Sequence, residues 1–204
     1  MYIGDKIRMK YVEKNMPFAT SPNRFCLDVG CGDRIYWDTI LAHKYHYQGI
    51  DLLPIENSVM QIDLDKSVDR EKIKSKYSLI LCVDVLEHLE HPSDVLSYLI
   101  TLIEDQGKLI IHVPNRNQTH VMIEPEKNAG HIVEGFNPWD IKEFFEKNLK
   151  NSKIEYTFDW SEAIAWDLDY ILRNNIDLNE PMRKLLNFDT EKFIPYGILA
   201  VGDK

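Results

Sequence analysis

Residues 25–32 read FCLDVGCG, a short apolar run that breaks directly into a Gly-x-Gly turn. This junction limits the possible folds more than any other stretch of the chain. A strand at 25–29 that ends on two glycines lets the backbone turn sharply and aim peptide N–H groups at whatever lies above the strand end. Such a turn serves either to reverse the chain or to cradle a ligand. The dinucleotide fingerprint would carry a third glycine just beyond, where Asp33, Arg34 and Ile35 stand here. A second strand, 46–51, ends in Gly49-Ile50-Asp51 about 20 residues on, the position from which an acid hydrogen-bonds a ribose diol. Together the turn and the acid predict an adenosine-type ligand across the carboxyl ends of the first two strands.

The rest of the chain alternates in the same manner. Runs at 58–64, 78–83 and 107–113 have the length and β-branched content of strands, and the last two are nearly continuous apolar runs, as in parallel strands covered on both faces. Between strands, 93–103 reads as a helix capped by Ser93, with Val95, Leu96, Leu99, Leu102 and Ile103 on one stripe. A helix at 138–149 starts from Asn137 as cap and Pro138 in the first turn. The order predicts an α/β fold with an open, mostly parallel sheet and helices on both faces. Later come strands at 153–159 and 195–201, with helices at 161–174 and about 180–187 between them. The expectation is a single domain over residues 1–204 with a helical insertion at about 160–190.

Charge narrows the partners. Asp and Glu total 33 against 24 Lys and Arg, a formal −9, so the chain lacks the basic footprint of a protein that tracks nucleic-acid phosphates. No apolar run approaches the roughly 18 residues of a membrane span. The start lacks the apolar run and cleavage site of a signal peptide, and Cys26, Cys31 and Cys82 lack metal-type spacing. A cytoplasmic protein with reduced thiols is expected.

Six segments, in order over residues 25–145, resemble the class I S-adenosylmethionine (SAM)-dependent methyltransferases, particularly the type 11 and type 12 methyltransferase-domain families. They are Asp28-Val29-Gly30-Cys31-Gly32; Asp51; Asp63-Leu64; Cys82-Val83-Asp84-Val85-Leu86-Glu87-His88; Gly107-Lys108-Leu109-Ile110-Ile111 with Val113-Pro114-Asn115; and His131 followed by Phe136. The resemblance implies a Rossmann-like three-layer α/β/α sandwich. Its seven-stranded, mostly parallel sheet would end in an antiparallel strand, with the helical insertion between the last two strands. It implies SAM as cofactor, released as S-adenosylhomocysteine (SAH). Asp28, Gly30, Cys31 and Gly32 would surround the methionine part, Asp51 the ribose, and Leu52, Asp63 and Leu64 the adenine, with Asp84 and Val85 completing the site. Arg34 replaces the third glycine, and Arg34-Ile35-Tyr36 resembles a GCG-x-Arg-Pro-Tyr loop of methyltransferases associated with surface glycans, with Ile35 in place of proline. Gln106 replaces a second glycine before the fifth strand.

The resemblance implies methyl transfer to a small-molecule or sugar-containing acceptor, at oxygen. Nitrogen methylation of a metabolite or protein side chain, and a non-catalytic SAM-binding protein, remain alternatives. DNA amino-methyltransferases carry Asn/Asp-Pro-Pro-Tyr where this chain has Asp84-Val85-Leu86-Glu87, and no cysteine follows a proline as RNA cytosine-5 enzymes require. A hydroxyl acceptor benefits from a base near its proton, and His131 and His88 are the candidates, since both fall over the cleft. His43, His46 and His91 read as solvated, and His112 as a core histidine. His120, Glu124 and Glu126 are spaced too irregularly for ligands, so no metal is expected. Trp166 and Tyr170, on the second face of their helix, either pack or line a pocket, and Asp167 and Asp169 nearby would suit a hydroxyl-rich or cationic acceptor. Residues 115–136 and the insertion are expected to form an acceptor-side lid.

Overall fold

The computed structural model describes residues 2–20, 24–119, 122 and 130–204. Seven strands, β1 (Phe25–Val29), β2 (His46–Asp51), β3 (Met60–Gln61), β4 (Tyr77–Val83), β5 (Ile103–Pro114), β6 (Lys150–Thr157) and β7 (Gly197–Asp203), form one sheet in the order β3-β2-β1-β4-β5-β7-β6. β1 to β5 run parallel, while β7 lies antiparallel between β5 and β6. The helices are α1 (Ile3–Asn15), α2 (Trp37–Ala42), α3 (Ser67–Arg70), α4 (Pro92–Leu102), α5 (Pro138–Asn148), α6 (Trp160–Arg173) and α7 (Asn179–Leu186). α6 and α7 stand between β6 and β7, where the insertion was expected.

Alternating residues of the central strands feed two cores. Leu27, Val29, Ile80, Cys82, Leu109 and Ile111 pack with α4 and α5. Cys26, Leu79, Leu81 and Ile110 pack on the other face with Val12 of α1, Met16 just after it and Ile40 of α2. The period of two along each parallel strand thus produces the three-layer sandwich.

The boundaries differ from the sequence reading in ways with physical causes. The strand expected over 58–64 shrinks to two residues at the sheet edge, pairing with Ile50 and Asp51, while Ile62 and Leu64 turn inward. α4 starts at Pro92 with His91 before it, so Ser93 lies inside the first turn and is not the cap. Asn137 does cap α5, accepting from the Trp139 N–H at 3.0 Å. β5 begins at Ile103 rather than 107, because Gln106 takes a left-handed conformation (φ 66°) that absorbs an irregularity in its pairing with β4. Strands expected at 153–159 and 195–201 lie at β6 and β7 as bounded above. His43 is buried, its Nδ1 2.9 Å from the Thr39 carbonyl and its ring stacked on Phe18, not solvated.

α1 was not expected. Its buried residues are only Gly4, Ile7 and Val12, too few for an apolar stripe. Polar contacts carry the rest: Lys10 and Tyr11 meet Glu162 of α6 at 2.6 and 2.8 Å, and Arg8 meets Asp84 at 2.9 Å. Gly4 is needed where the Trp166 ring crosses, since a Cβ there would sit 2.9 Å from its Nε1.

Candidate active site

The carboxyl ends of β1, β2, β3 and β4 open into a cavity of about 240 Å³. Gly30, Asp51, Leu52, Asp63, Leu64, Asp84, Val85 and His88 all line it, eight of the twelve residues expected in the site. Gly30 has φ +63°, and a Cβ on it would lie 2.4 Å from Val85 Cγ2, so a glycine is required for the turn to pass β4. Arg34, in the place of the third glycine, adopts φ 56°, the left-handed conformation a glycine would favour. Its guanidinium covers the Trp37 ring at 4.6 Å and pairs with Glu56 at 2.5 Å.

Asp51 locks the turn to the second strand. Its two carboxylate oxygens accept from the Gly32 and Leu53 N–H groups, each at 2.9 Å. A carboxylate has about four lone-pair sites, so a diol can still be accommodated. Asp63 caps its own turn, accepting from the Asp65 N–H at 3.1 Å and pairing with Lys66 at 2.8 Å. Asp65, which the sequence did not single out, accepts from the Glu90 and His91 N–H groups and ties the third-strand exit to the fourth.

Asp28 and Cys31 do not reach the cavity wall. Both are buried, and Asp28 accepts a hydrogen bond from the Tyr47 hydroxyl at 3.1 Å. Burial pushes the Asp28 carboxyl up to about 7 despite that bond. Their contribution to the site is to hold the turn from behind.

Asp84 has a left-handed backbone (φ 52°) and a carboxylate held from two sides. Arg8 Nε lies 2.9 Å away and His112 Nδ1 2.5 Å away. A carboxylate cannot donate, so Nδ1 carries the proton toward Asp84, while Nε2 lies 2.8 Å from the Thr157 hydroxyl. Burial raises the Asp84 carboxyl, but His112 and Arg8 outweigh it and hold the group below the usual carboxylate range. His112 is therefore a core histidine, as read, yet one that holds an acid of the cavity wall.

After β4 the chain makes a 3₁₀ turn, Leu86–His88. The Glu87 carbonyl accepts from the Ile132 and Val133 N–H groups at 2.8 and 3.0 Å, bringing 130–133 across the cleft mouth. His88 donates from Nδ1 to the Gly130 carbonyl at 3.0 Å, and its ring meets that of His131 edge-on, centroids 4.9 Å apart. Burial, and then the neighbouring His88, lower the His131 pKa, which favours a neutral imidazole. Glu87 is buried, and burial followed by the Asp84 charge raises its carboxyl to about 8.

Asp167 and Asp169 are committed elsewhere. Asp167 is buried and accepts from the Tyr196 hydroxyl and the Met122 N–H, while Asp169 pairs with Arg173 at 2.9 Å. Trp166 packs edge-on to Phe158 and Tyr196, and Tyr170 packs near Met122 and Ile171. Both aromatics thus pack against neighbouring side chains. His120, Glu124 and Glu126 lie outside the described residues, as does much of the 115–136 segment; its described ends are anchored by Asn115 N–H to the Tyr196 carbonyl and Arg116 N–H to the Phe136 carbonyl.

A family model described as a methyltransferase domain matches residues 7–152. Ubiquinone biosynthesis O-methyltransferases are similar: that of Coxiella burnetii (strain RSA 493 / Nine Mile phase I) is 25% identical over 57% of this chain and 53% of its own. That of Paraburkholderia phytofirmans is 28% identical over 54% and 52%. The chain thus spans about half the length of the curated relatives it matches. Among solved structures, a SAM-dependent methyltransferase from Archaeoglobus fulgidus superposes with a TM-score of 0.66 at 16% identity, covering 98% of this chain and 94% of that one. The N-methyltransferase NodS from Bradyrhizobium japonicum, in complex with SAH, superposes at 0.60 and 12% identity, over 98% and 86%. At these identities the superpositions establish the shared fold. No helix among the described residues is long and apolar enough to cross a membrane.

Proposed function

The chain belongs to the methyltransferase-domain family, and we propose that it transfers the methyl group of SAM to a hydroxyl of a small-molecule or sugar-containing acceptor. The observation that carries the cofactor is the cavity bounded by Gly30, Asp51 and Leu64 at one end and by Asp84 and His88 at the other. The methionine part lies over the Gly30–Gly32 turn, the ribose hydroxyls bond Asp51, and the adenine lies against Leu52, Asp63 and Leu64. The sulfonium then faces His88 and His131.

Methyl transfer is an in-line displacement, so holding acceptor oxygen, methyl carbon and sulfur in line supplies much of the acceleration. Oxygen acceptance is favoured because two partly exposed imidazoles converge where the acceptor would enter, and the similar ubiquinone-biosynthesis enzymes are named as O-methyltransferases. α6 and α7, with the described ends of the 115–136 segment, act as the acceptor-side lid that excludes water from the sulfonium. The cytoplasm is the proposed location, in keeping with three unpaired, buried cysteines.

The experiment is calorimetric titration with SAM, followed by transfer of labelled methyl from SAM to panels of phenolic, sugar and amine acceptors. Binding with label appearing on hydroxyls supports the reading. Label on amines alone would transfer the assignment to nitrogen, and no SAM binding at tens of micromolar would overturn it.

A further inference from the structure

We propose that Glu87, His88 and His131 hold a divalent first-row transition metal at the acceptor end of the cleft, and that this metal binds the acceptor hydroxyl. The inference rests on the function proposed above and specifies how that site activates oxygen.

The donor set is the first observation. One oxygen of Glu87 and one nitrogen each of His88 and His131 all lie within 4.8 Å of one another. Two imidazoles and a carboxylate form a set that binds zinc, iron, cobalt or manganese and leaves positions open for a reacting oxygen. Metal–ligand bonds of about 2.0–2.2 Å place ligand atoms roughly 3–3.5 Å apart, so side-chain rotations of an ångström or two complete the sphere. His88 is exposed and His131 half-buried, and both can make that movement.

The second observation concerns Glu87. Only 2% of its surface is exposed, and its Oε2 meets no hydrogen-bond partner among the described residues. A buried carboxyl oxygen without a hydrogen-bond partner is costly, and the great majority of such atoms in folded proteins are satisfied. A cation between Glu87 and the two imidazoles would give that carboxyl group a partner.

The third is the orientation of His88. Its Nδ1–H donates to the Gly130 carbonyl at 3.0 Å, which fixes the tautomer and leaves the Nε2 lone pair free. Metal-bound histidines are held in this way, the second nitrogen donating to a carbonyl or carboxylate behind it. The same hydrogen bond, with the Ile132 and Val133 N–H bonds to the Glu87 carbonyl, carries His131 over the turn.

The chemistry balances without a redox partner. The acceptor O–H coordinates the metal, which lowers its pKa as it does that of bound water, and the proton passes to solvent. The oxygen lone pair forms the new bond to the methyl carbon, and the C–S bond breaks with its electron pair going to sulfur. Methyl ether and SAH are the products. His131 then acts as a ligand rather than as a base.

The test uses chelator-treated protein titrated with cobalt(II), followed by visible d–d absorption, with SAM calorimetry on the same preparation. The expected result is one cobalt per chain, with affinity reduced about 100-fold or more in both Glu87→Gln and His131→Ala. Should the buried Glu87→Gln fail to fold, His131→Ala, on the half-buried segment, carries the comparison. No cobalt absorption, or equal affinity in wild type and His131→Ala, overturns the metal site. If SAM still binds in that case, the methyltransferase reading stands without it. Cobalt binding with no SAM binding supports the metal site and removes the function proposed for it.

Discussion

Replacing Gly30 by alanine tests the turn on which the cofactor reading depends. Two costs add. Gly30 sits at φ +63°, where a side chain costs roughly 1–2 kcal/mol. Its Cβ would also lie 2.4 Å from Val85 Cγ2, and relieving such overpacking costs roughly 1–3 kcal/mol more. The sum, about 2–5 kcal/mol, corresponds to a melting point lower by roughly 4–20 °C in a chain of this size. Because Gly30 and Val85 both line the cavity, SAM affinity should fall in parallel. Thermal unfolding of wild type, Gly30→Ala, Val85→Ala and the double mutant separates the two costs. The pair should couple by about 1–3 kcal/mol, since truncating Val85 removes the overlap but not the backbone strain. A Gly30→Ala protein that melts and binds SAM like wild type, with no coupling to Val85, would refute the reasoning.

Asp51→Ala should weaken SAM binding about 10- to 150-fold, the equivalent of about 1.5–3 kcal/mol for hydrogen bonds to a charged group, while the protein stays folded; unchanged affinity by calorimetry would remove the ribose assignment. Asp28, raised to about 7, holds a proton in the folded state that the unfolded chain releases near 3.8, so its contribution to stability is complete below that value and is lost as pH rises through about 7. Asp28→Asn should therefore gain on wild type between pH 5 and pH 7.5 in denaturant melts, and parallel pH profiles would contradict this. Arg8→Ala should destabilise by about 1–3 kcal/mol by leaving Asp84 to His112 alone, less than a fully buried pair because the two side chains keep 22% and 29% of their surface exposed; an unchanged denaturation midpoint would show that α1 is held by its other contacts.

The central strands were legible because parallel strands covered on both faces must be apolar throughout, as SLILCV before Asp84 is. The glycine turn and Asp51 were legible because their chemistry is local: each acts through the backbone at a strand end. α1 was not, because ion pairs to Glu162 and Asp84 and the bare Gly4 hold it in place of an apolar stripe. The third strand was overread, since Ile62 and Leu64 are apolar as walls of the cleft rather than as members of a ladder. The end of the cleft near His88 was least legible. Arg8, Asp84, His112 and Thr157 come from α1, the turn after β4, β5 and β6, and no spacing rule joins Glu87 to His131 across an intervening helix and strand. A buried acid next to His88 was the available signal, and its meaning depends on what the tertiary fold brings opposite.

The most direct measurement is a crystal structure of the protein with SAH bound. The ribose hydroxyls should lie about 3 Å from the Asp51 carboxylate, the adenine beside Leu52, Asp63 and Leu64, and the sulfur should point toward His88 and His131. SAH bound away from the Gly30–Gly32 turn, or with its ribose on another acid, would contradict the account.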